Sequence, residues 1–575
     1  MAISKKKRKR KKHKWDPQKL EQMRQKRKIR GLFMRIGFEQ VKANGIEFTF
    51  DGRTGEIDEI FRFENVLVLC EYTTGKNITE HVAKKSILYS KINDNQAQWA
   101  EEYSTVNEDF NDSIKNCGYT SKQLRVRILY VSTDTVSEEI SNALQYVQFF
   151  NGTRARYFDA LSHTIHKSSR HEFFKYLGLD YSEIGDEINN PGGVHKNFAG
   201  HLLPEGHSTY PQGFKVVSFY ADPKTLLALS YVLRQDSWRD NEGLYQRILI
   251  KSKIAKMRRY LVTEKRVFVN NIIVTLPPTT SINEPGNPGK NIDPTKLDNI
   301  AQVSIGVPYR ADVIGLVDGQ HRVFCYYEGS DALEPQIEKY RVRQNLLVTG
   351  LIFPQSWSEA KKREFEAQLF LEINDNQAKA RSALKQSIEL ILSPFSTIAI
   401  SKEIINRLAS KGPLHGLVQI SFFDPPEMIK TTSIVSYGLR PLVKFEGNDS
   451  LFDAWSESAK SKLPNKGTPI GDRRILLERY LTFCVDSINS FLIAAKLESD
   501  PDKWKRTTDR KSMFLTPTVV NGLLVCMRRL VEAGKLSTTE RYQRKLDGIQ
   551  SFHFKKYKSS GWRAMGDDIY QTYFA

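Results

Sequence analysis

Residues 31–184 follow strand and helix patterns in alternation. The runs EFTFDG, GEIDEIFRF and ENVLVLCEYT predict successive β-strands, with turns at Asp51-Gly52 and near Glu64-Asn65. The run NITEHVAKKSILYSKIND then has helical spacing, LRVRILYVST is β-rich again, and the pattern is helical through HEFFKYLGL. We therefore expect a compact α/β domain over residues 31–184.

A second mixed pattern covers residues 214–384. The runs FKVVSFYA, FVNNIIVTL, VIGLVDGQHRVFCYYEG and NLLVTGLIF predict strands, and helices are expected near Pro223, over YQRILIKSKIAKMRRYL and from near Ser358. Residues 185–213 and 277–298 are rich in Gly, Pro, Asn or His, which predicts a linker and a loop. Residues 385–575 carry long amphipathic patterns and predict a mostly helical C-terminal domain. The expected fold class is a multidomain α/β protein.

Composition agrees with several globular domains. A chain of 575 residues is too long for one core, and its 40% apolar content is ordinary for folded protein. The five cysteines are widely spaced without a CxxC pair, which favours free thiols in a reducing compartment. Since we find neither an apolar run of about 18 residues nor a signal sequence, we expect a soluble, cytosolic protein without membrane contact.

Positive charge is concentrated in residues 1–30. This segment holds 15 Lys and Arg against two acids, so it accounts for +13 of the net charge of +20. Such a run repels itself, and we expect a disordered basic tail, with residues 16–30 forming a basic helix or its frayed continuation. A polyanion such as DNA is its natural partner, and a merely solubilising arm is the alternative.

The pentapeptide Asp318, Gly319, Gln320, His321 and Arg322 directly follows a buried apolar run. At a strand-to-helix turn, the glycine lets the backbone approach a ligand, helix N-terminal amides suit phosphate, and the arginine can clamp phosphate. The aspartate suits a metal, and the glutamine and histidine suit a ribose or base. A polar turn with a solvent-exposed arginine is the plain structural alternative.

This segment resembles the DGQHR-domain family of the ParB/sulfiredoxin-like superfamily. The resemblance covers roughly residues 214–384, through YQRILIKSKIAKMRRYL, FVNNIIVTL, the DGQHR box and FLEINDNQAKA. It implies a ParB-like α+β domain that binds a nucleotide (ATP, CTP or GTP) or DNA at the box. Members resemble the regulator of DNA phosphorothioation and components of other DNA-modification systems, which implies modification- or phage-defence proteins as partners. Homo-oligomerisation is left open.

The resemblance extends to a second, looser motif at Asn374, Asn376 and Gln377, with Arg381 close by. In ParB-like proteins an Asn-containing motif at this place helps to hold phosphate and metal. Helix capping by Asn is the structural alternative. Arg247 and Lys253, on the helical segment ahead of the box, are further candidates for polyanion contacts, although a solvated basic face explains them equally well.

Two acids in the first domain suggest metal chemistry. Asp58 ends one predicted strand and Glu71 lies on the next, and carboxylates on adjacent strands are what Mg²⁺- or Mn²⁺-assisted phosphodiester cleavage needs. This resembles the PD-(D/E)xK restriction-endonuclease-like superfamily, with Glu39 in the helix-like FEQVKAN as its upstream acid. Thr73 stands where that family has lysine, so Lys84 or Lys85 of the following helix would have to supply the ammonium group.

Three functions remain open from the sequence. In the first, a nucleotide-binding DGQHR domain gates cleavage of DNA by the N-terminal nuclease. In the second, the protein is a DNA-binding regulator without cleavage, and Asp58 and Glu71 are not needed. In the third, it is an NTPase that depends on Asp318 and Arg322, and the first domain only anchors DNA.

Overall fold

The computed structural model describes residues 17–73, 78–132, 136, 138–189, 195–232, 249–375, 382–421, 424–425, 427–500, 504 and 515–575. The chain forms two compact units. The first consists of Met1–Val232 and Leu249–Gln355, and the second of Leu233–Ile248 and Ser356–Ala575. Residues 31–184 and the DGQHR box thus belong to the same unit.

The first part of unit 1 alternates strands and helices. They are α1 (Pro17–Ile36), β1 (Glu39–Val41), β2 (Glu47–Phe50), β3 (Arg53–Glu56), β4 (Glu59–Phe63), β5 (Val66–Thr73), α2 (Ile78–Asp94), α3 (Gln96–Val106), α4 (Glu108–Cys117), β6 (Arg125–Ser132), α5 (Glu138–Ala143), β7 (Val147–Phe150), α6 (Gly152–Ile165) and α7 (Arg170–Tyr176). Of these, β2, β4, β5, α2 and β6 lie in the runs for which the sequence predicted them.

Within the described residues, a mixed sheet has the strand order β1-β4-β5-β6-β7, and β2 and β3 form a separate hairpin. The pairs β1/β4 and β4/β5 are antiparallel, whereas β5/β6 and β6/β7 are parallel. A connection that returns a parallel strand needs a crossover, and α2 to α4 supply it between β5 and β6. Strand β5 is buried along its whole length, as expected of an inner strand covered on both faces.

Helices cover both faces of this sheet. On one face, Leu69 and Ile128 share a core with Trp99 of α3 and with the β2–β3 hairpin. On the other face, Phe33 of α1 stacks on Phe61 with ring centroids 4.0 Å apart. Because Phe33 is fully buried, burial of apolar surface fixes the second half of α1 to the sheet.

The second part of unit 1 contains the DGQHR box. Its helices and strands are β8 (His195–Leu203), α8 (Glu205–Ser208), β9 (Lys215–Ala221), α9 (Pro223–Leu229), β10 (Ser230–Tyr231), α10 (Lys251–Glu264), β11 (Ile272–Leu276), β12 (Ser281–Glu284), β13 (Asn287–Asn291), β14 (Ala301–Pro308), β15 (Ile314–Asp318), α11 (Gln320–Phe324), α12 (Glu334–Arg343) and β16 (Leu346–Ile352). In the described residues the strands form one mixed sheet in the order β10-β15-β11-β16-β9-β8-β14-β12-β13.

Unit 2 is predominantly helical, as predicted for the C-terminal part of the chain. Its elements are α13 (Glu359–Asp375), α14 (Ser382–Leu392), α15 (Thr397–Ser410), β17 (Val418–Gln419), β18 (Ile429–Lys430), a π-helix (Ile434–Leu439), α16 (Arg440–Leu442), α17 (Leu451–Ala454), α18 (Ile470–Leu497), α19 (Pro517–Glu532), α20 (Thr539–Lys545) and α21 (Trp562–Tyr573). In the described residues, α18 alone is long and apolar enough to cross a membrane by length and composition, and its Tyr480, Cys484 and Phe491 are buried in the unit's core.

Residues 17–30 form the basic helix expected from the sequence and are not part of a disordered tail, because α1 is helical and its Ile29 is buried. Two other expectations are wrong. The predicted linker at 185–213 contains β8, whose apolar positions are few and separated by polar and small residues. The predicted loop at 277–298 contains the antiparallel β12–β13 hairpin, whose Asn and Pro content conceals a strand pattern.

Candidate functional site

The structure brings Asp58 and Glu71 together at one end of the neighbouring strands β4 and β5, where β4 begins and β5 ends; this end of the sheet is called the acidic edge below. Glu59 pairs with Cys70 in the antiparallel ladder, so continuing that register by one residue sets Asp58 opposite Glu71. The backbone amide of Tyr72 donates a hydrogen bond to Asp58 Oδ2 at 3.0 Å, which holds the carboxylate beside β5. Two negative side chains therefore lie next to each other.

Glu71 is 3% exposed and has three polar neighbours, all from α2. The Tyr89 hydroxyl donates to Oε2 at 2.5 Å, Lys85 Nζ lies 3.3 Å from both carboxylate oxygens, and His81 Nε2 is 3.7 Å from Oε1. Burial, followed by the negative charge of Asp58, raises the pKa of Glu71 to about 7, although Lys85 and Tyr89 oppose the shift. Such a shift is typical of functional carboxylates.

Basic side chains of α1 cover the same edge. Lys26 Nζ lies 2.6 Å from Asp58 Oδ1, and Arg30 donates to the buried carboxylate of Glu59. Glu59 also accepts a hydrogen bond from the Tyr72 hydroxyl. The helix predicted from the basic segment thus contributes cations to the acidic edge, a contact that nothing in the spacing of these residues indicated.

The predicted lysine is Lys85 and not Lys84. On α2 these neighbours point in different directions, and Lys84 is 72% exposed and forms an ion pair with Glu80 at 2.7 Å. Lys85 contacts Glu71 and also donates to the carbonyl of Glu56. Thr73 is buried in β5. It stands at the position where the PD-(D/E)xK pattern has lysine.

Glu39 does not belong to this cluster. It lies in β1 rather than in the helix expected from FEQVKAN, and its carboxylate accepts a hydrogen bond from Arg62 at 2.5 Å. Arg62 is near the end of β4 opposite to Asp58. The upstream acid predicted from the sequence is therefore ruled out as a partner of Asp58 and Glu71.

The donor chemistry at this edge suits a hard divalent cation. Carboxylate oxygens are ligands that Mg²⁺ and Mn²⁺ prefer, and Mg²⁺ usually keeps several waters beside one or two carboxylates. Among the described residues, no group of three or more His, Cys, Asp and Glu side chains has the arrangement of a metal cluster. A cation at Asp58 and Glu71 would therefore take its remaining ligands from water or from a bound phosphate.

The DGQHR box is a tight turn between β15 and α11, as the pattern predicted. Gly319 has φ of 97°, and a Cβ there would lie 2.7 Å from Ile272 Cδ1, so only glycine suits the position. Arg322 Nη2 donates to Asp318 Oδ2 at 2.6 Å. The two charged groups of the box therefore satisfy each other in this state.

The remaining box residues differ in their surroundings. Gln320 opens α11 and is half-buried, and His321 Nε2 accepts a hydrogen bond from the Ile250 amide at 3.4 Å. Arg322 Nε is buried without a hydrogen-bond partner among the described residues. Helix α11 has five residues, so it lacks the length of an N-terminal phosphate site, and Arg322 is the principal candidate for an anion.

A buried ionic network fixes the chain behind the box, and it was not predicted. Arg258 of α10 is fully buried, lies 4.0 Å from the Tyr327 ring centroid and donates to the Tyr327 carbonyl at 2.7 Å. It also forms ion pairs with Asp331 and Glu334, and Glu334 binds Arg341. A lone arginine in a basic helix carries no signal of burial, which is why the sequence did not reveal it.

Contacts join this network to the first sheet's helices. The His166 ring, just after α6, stacks on Tyr327 with centroids 5.2 Å apart and planes at 10°. The Glu328 amide donates to Ser168 Oγ at 2.8 Å, and the Lys167 amide donates to the Glu328 carbonyl at 3.1 Å. The chain after the box is thus attached to the part of unit 1 that carries Asp58 and Glu71.

The other predicted contacts are placed only in part. Lys253 is exposed on α10. Asn374 belongs to the last turn of α13, in unit 2, and its side chain lies outside the described residues, as do Asn376, Gln377, Arg381 and Arg247.

Comparison of the chain with family models, curated proteins and solved structures found no match. The functional assignment therefore depends on the geometry and electrostatics of this chain's own residues.

Proposed function

We propose that this protein is a metal-dependent DNA nuclease with its centre at Asp58 and Glu71, regulated through the DGQHR box. The observation that carries the proposal is the pair of adjacent carboxylates, one of them buried with its pKa raised to about 7. Keeping two acids together in a poorly solvated place costs stability, and such a cost is usual at functional sites.

The strand order supports the nuclease assignment. An antiparallel succession β1-β4-β5 is followed by α2 and the parallel strand β6, and the acids lie where β4 begins and β5 ends. By the resemblance drawn from the sequence, two acids on adjacent strands are what a PD-(D/E)xK-like nuclease would need. The chain departs from that pattern at Thr73, and Lys85 of α2 is the proposed substitute.

A divalent cation would be held by the carboxylates of Asp58 and Glu71 and would offset their mutual repulsion. When bound, it would activate water and neutralise charge on the phosphodiester. Lys85 is in contact with Glu71 and would orient that carboxylate and offer positive charge to a phosphate. Burial lowers the pKa of His81, so its imidazole stays neutral at physiological pH beside the same carboxylate.

The DGQHR box is proposed as the regulatory site. An anionic ligand, either the phosphates of ATP, CTP or GTP or the backbone of DNA, would compete with Asp318 for Arg322. The resulting change would reach α6 through Tyr327 and His166. By resemblance, the target would be phage DNA or DNA recognised by its modification, and the partners would be defence- or modification-system proteins.

Cleavage of supercoiled plasmid tests the proposal. We expect Mg²⁺- or Mn²⁺-dependent nicking that falls by roughly 100-fold or more in Asp58→Asn and in Glu71→Gln, while DNA affinity stays unchanged. Lys84→Ala is the matched control because its exposed ammonium is paired away from the site. Equal nicking by the wild type and both carboxylate variants would rule out this centre.

A DNA-binding regulator without cleavage is the second candidate, and one observation favours it. Lys26 forms a 2.6 Å ion pair with Asp58, which neutralises a proposed metal ligand. In that case, the wild type would bind DNA without nicking it in either metal. The NTPase alternative requires Arg322, and an Arg322→Ala variant that hydrolyses ATP or CTP at the wild-type rate would exclude it.

A further inference from the structure

We propose that unit 2 carries a stacking platform for single-stranded nucleic acid, formed by Tyr437 and Trp562. The two rings are stacked with centroids 5.8 Å apart and planes at 23°. Tyr437 is 53% exposed, which is high for a large aromatic side chain. A base has a flat π-face of similar size and can extend such a stack.

The platform is held on a rigid support. Tyr437 belongs to the π-helix, whose Gly438 packs so closely on α19 that a Cβ would lie 2.5 Å from Asn521 Oδ1. Helix α21, which Trp562 opens, packs equally closely on α19, because a Cβ at Gly566 would lie 2.5 Å from the Gly522 carbonyl oxygen. Short π-helical segments often occur at functional sites, and here one presents an aromatic ring to solvent.

Positive charge is concentrated in the segment that leads to Trp562. Residues 551–563 (SFHFKKYKSSGWR) contain four Lys and Arg and no acid. The Arg563 guanidinium lies 5.1 Å from the Trp562 ring centroid, and Lys555 and Lys558 are exposed. Along α21, Asp567 is paired with Arg529 and Asp568 with Lys556, so the excess positive charge of this segment comes from Lys555, Lys558 and Arg563.

Single-stranded nucleic acid fits this combination better than a duplex or a peptide. In a duplex the base faces are stacked on one another, so its phosphates would contact the lysines but its bases would not contact the two rings. An acidic peptide would match the charge but has no need of a flat stacked pair. Proteins that bind single strands combine aromatic rings with a basic groove, and they tolerate many base sequences. The two rings of the platform belong to unit 2, whereas Asp58 and Glu71 of the proposed nuclease centre belong to unit 1.

Binding of a fluorescent oligothymidylate of about 16 nucleotides to the full-length protein tests the platform. The titration is made in EDTA, so that it does not depend on metal or cleavage. We expect Tyr437→Ala and Trp562→Ala each to weaken binding roughly 5- to 100-fold, and Tyr437→Phe to retain wild-type affinity. Tyr220→Ala, which removes a 62% exposed tyrosine of unit 1, is the matched control.

Three results would overturn the platform: unchanged affinity in Tyr437→Ala, an equal loss on duplex DNA of the same length, or preferential binding of an acidic peptide to the same rings. Tyr437 is a surface side chain, so its variant tests the proposal even if Trp562→Ala fails to fold. Nicking activity is measured in parallel on Tyr437→Ala. Retained nicking with lost single-strand binding separates this surface from the nuclease centre.

Discussion

Two acidic strand ends of unit 1 differ in how their charge is compensated. Glu71 is buried on β5, and its neighbours Lys85, His81 and Tyr89 come from a separate helix. Asp318 is 30% exposed at the end of β15, and its cation, Arg322, is four residues away in the same turn. One site is assembled by the tertiary fold, and the other is complete within a pentapeptide.

This difference shows where each site is vulnerable. The pair in the box is partly exposed, with Asp318 at 30% and Arg322 at 19%, so it is better solvated than Glu71 and can open for a ligand at lower cost. The cluster around Glu71 keeps charges in a poorly solvated place, so its members depend on one another. The complete DGQHR motif therefore lies at the site that opens more easily, whereas the acids of the more costly site match their motif only in part.

The largest expected effect concerns the support behind the box. Arg258→Met removes the buried guanidinium and its hydrogen bond to the Tyr327 carbonyl, and it leaves Glu334 with Arg341 as its cation, so we expect the free energy of unfolding to fall by about 3 kcal/mol. Chemical denaturation measures this. Arg259→Met, on the exposed side of the same helix, should change stability by less than about 0.5 kcal/mol. Equal stability of the two variants would contradict the network's role.

Glu71→Gln should stabilise the metal-free protein in a pH-dependent way. Because the pKa of Glu71 is raised from 4.5 to about 7, the folded state keeps a proton that the unfolded state loses, and wild-type stability falls as pH rises through that window. The variant avoids this loss, which amounts to about 3 kcal/mol at most. Melting in EDTA at pH 5 and pH 8 should show a gain at pH 8 that is several times the gain at pH 5. A constant difference would contradict the shift.

The two adjacent lysines of α2 should differ in function. Lys85→Ala removes the ammonium group that contacts Glu71, and we expect nicking to fall by roughly 100-fold. Lys84→Ala should leave the rate unchanged, because Lys84 is paired with Glu80 on the surface. Rates measured at saturating Mg²⁺ make the comparison, and equal losses would show that Lys85 has no special position.

The smallest effect is expected in the box itself. Asp318→Asn removes the partner of Arg322, and the free energy of unfolding should fall by no more than about 1 kcal/mol. The freed arginine should bind phosphates more readily, so nucleotide or DNA affinity should rise. An affinity that falls instead would mean that Asp318 itself contacts the ligand.

The sequence revealed much of the fold because periodic patterns report burial directly. Strands β4, β5, β6, β9, β11, β15 and β16 and helices α2 and α13 were all predicted from such patterns. Strand β8 was missed, since its inward positions Phe198, Gly200 and Leu202 include a glycine and stand between polar residues. The alternation of apolar and polar residues that indicates a strand is hard to recognise when the buried face has so few apolar side chains.

Only the acidic residues of the candidate site could be predicted from the sequence. Asp58 and Glu71 could be found because strand ends bring carboxylates to one edge. The cations could not, since Lys26 and Lys85 reach that edge through the packing of α1 and α2 and not through any spacing along the chain. The choice between Lys84 and Lys85 depends on helix rotation by one residue, which periodicity does not fix at a surface position.

Binding of Mn²⁺, followed by electron paramagnetic resonance and calorimetry, tests the central claim most directly. The account predicts a site in the wild type that is lost in Asp58→Asn and Glu71→Gln and retained in Asp318→Asn, the matched carboxylate at the other strand end. Mn²⁺ binding that survives both substitutions at the first edge, or that disappears with Asp318, would contradict it.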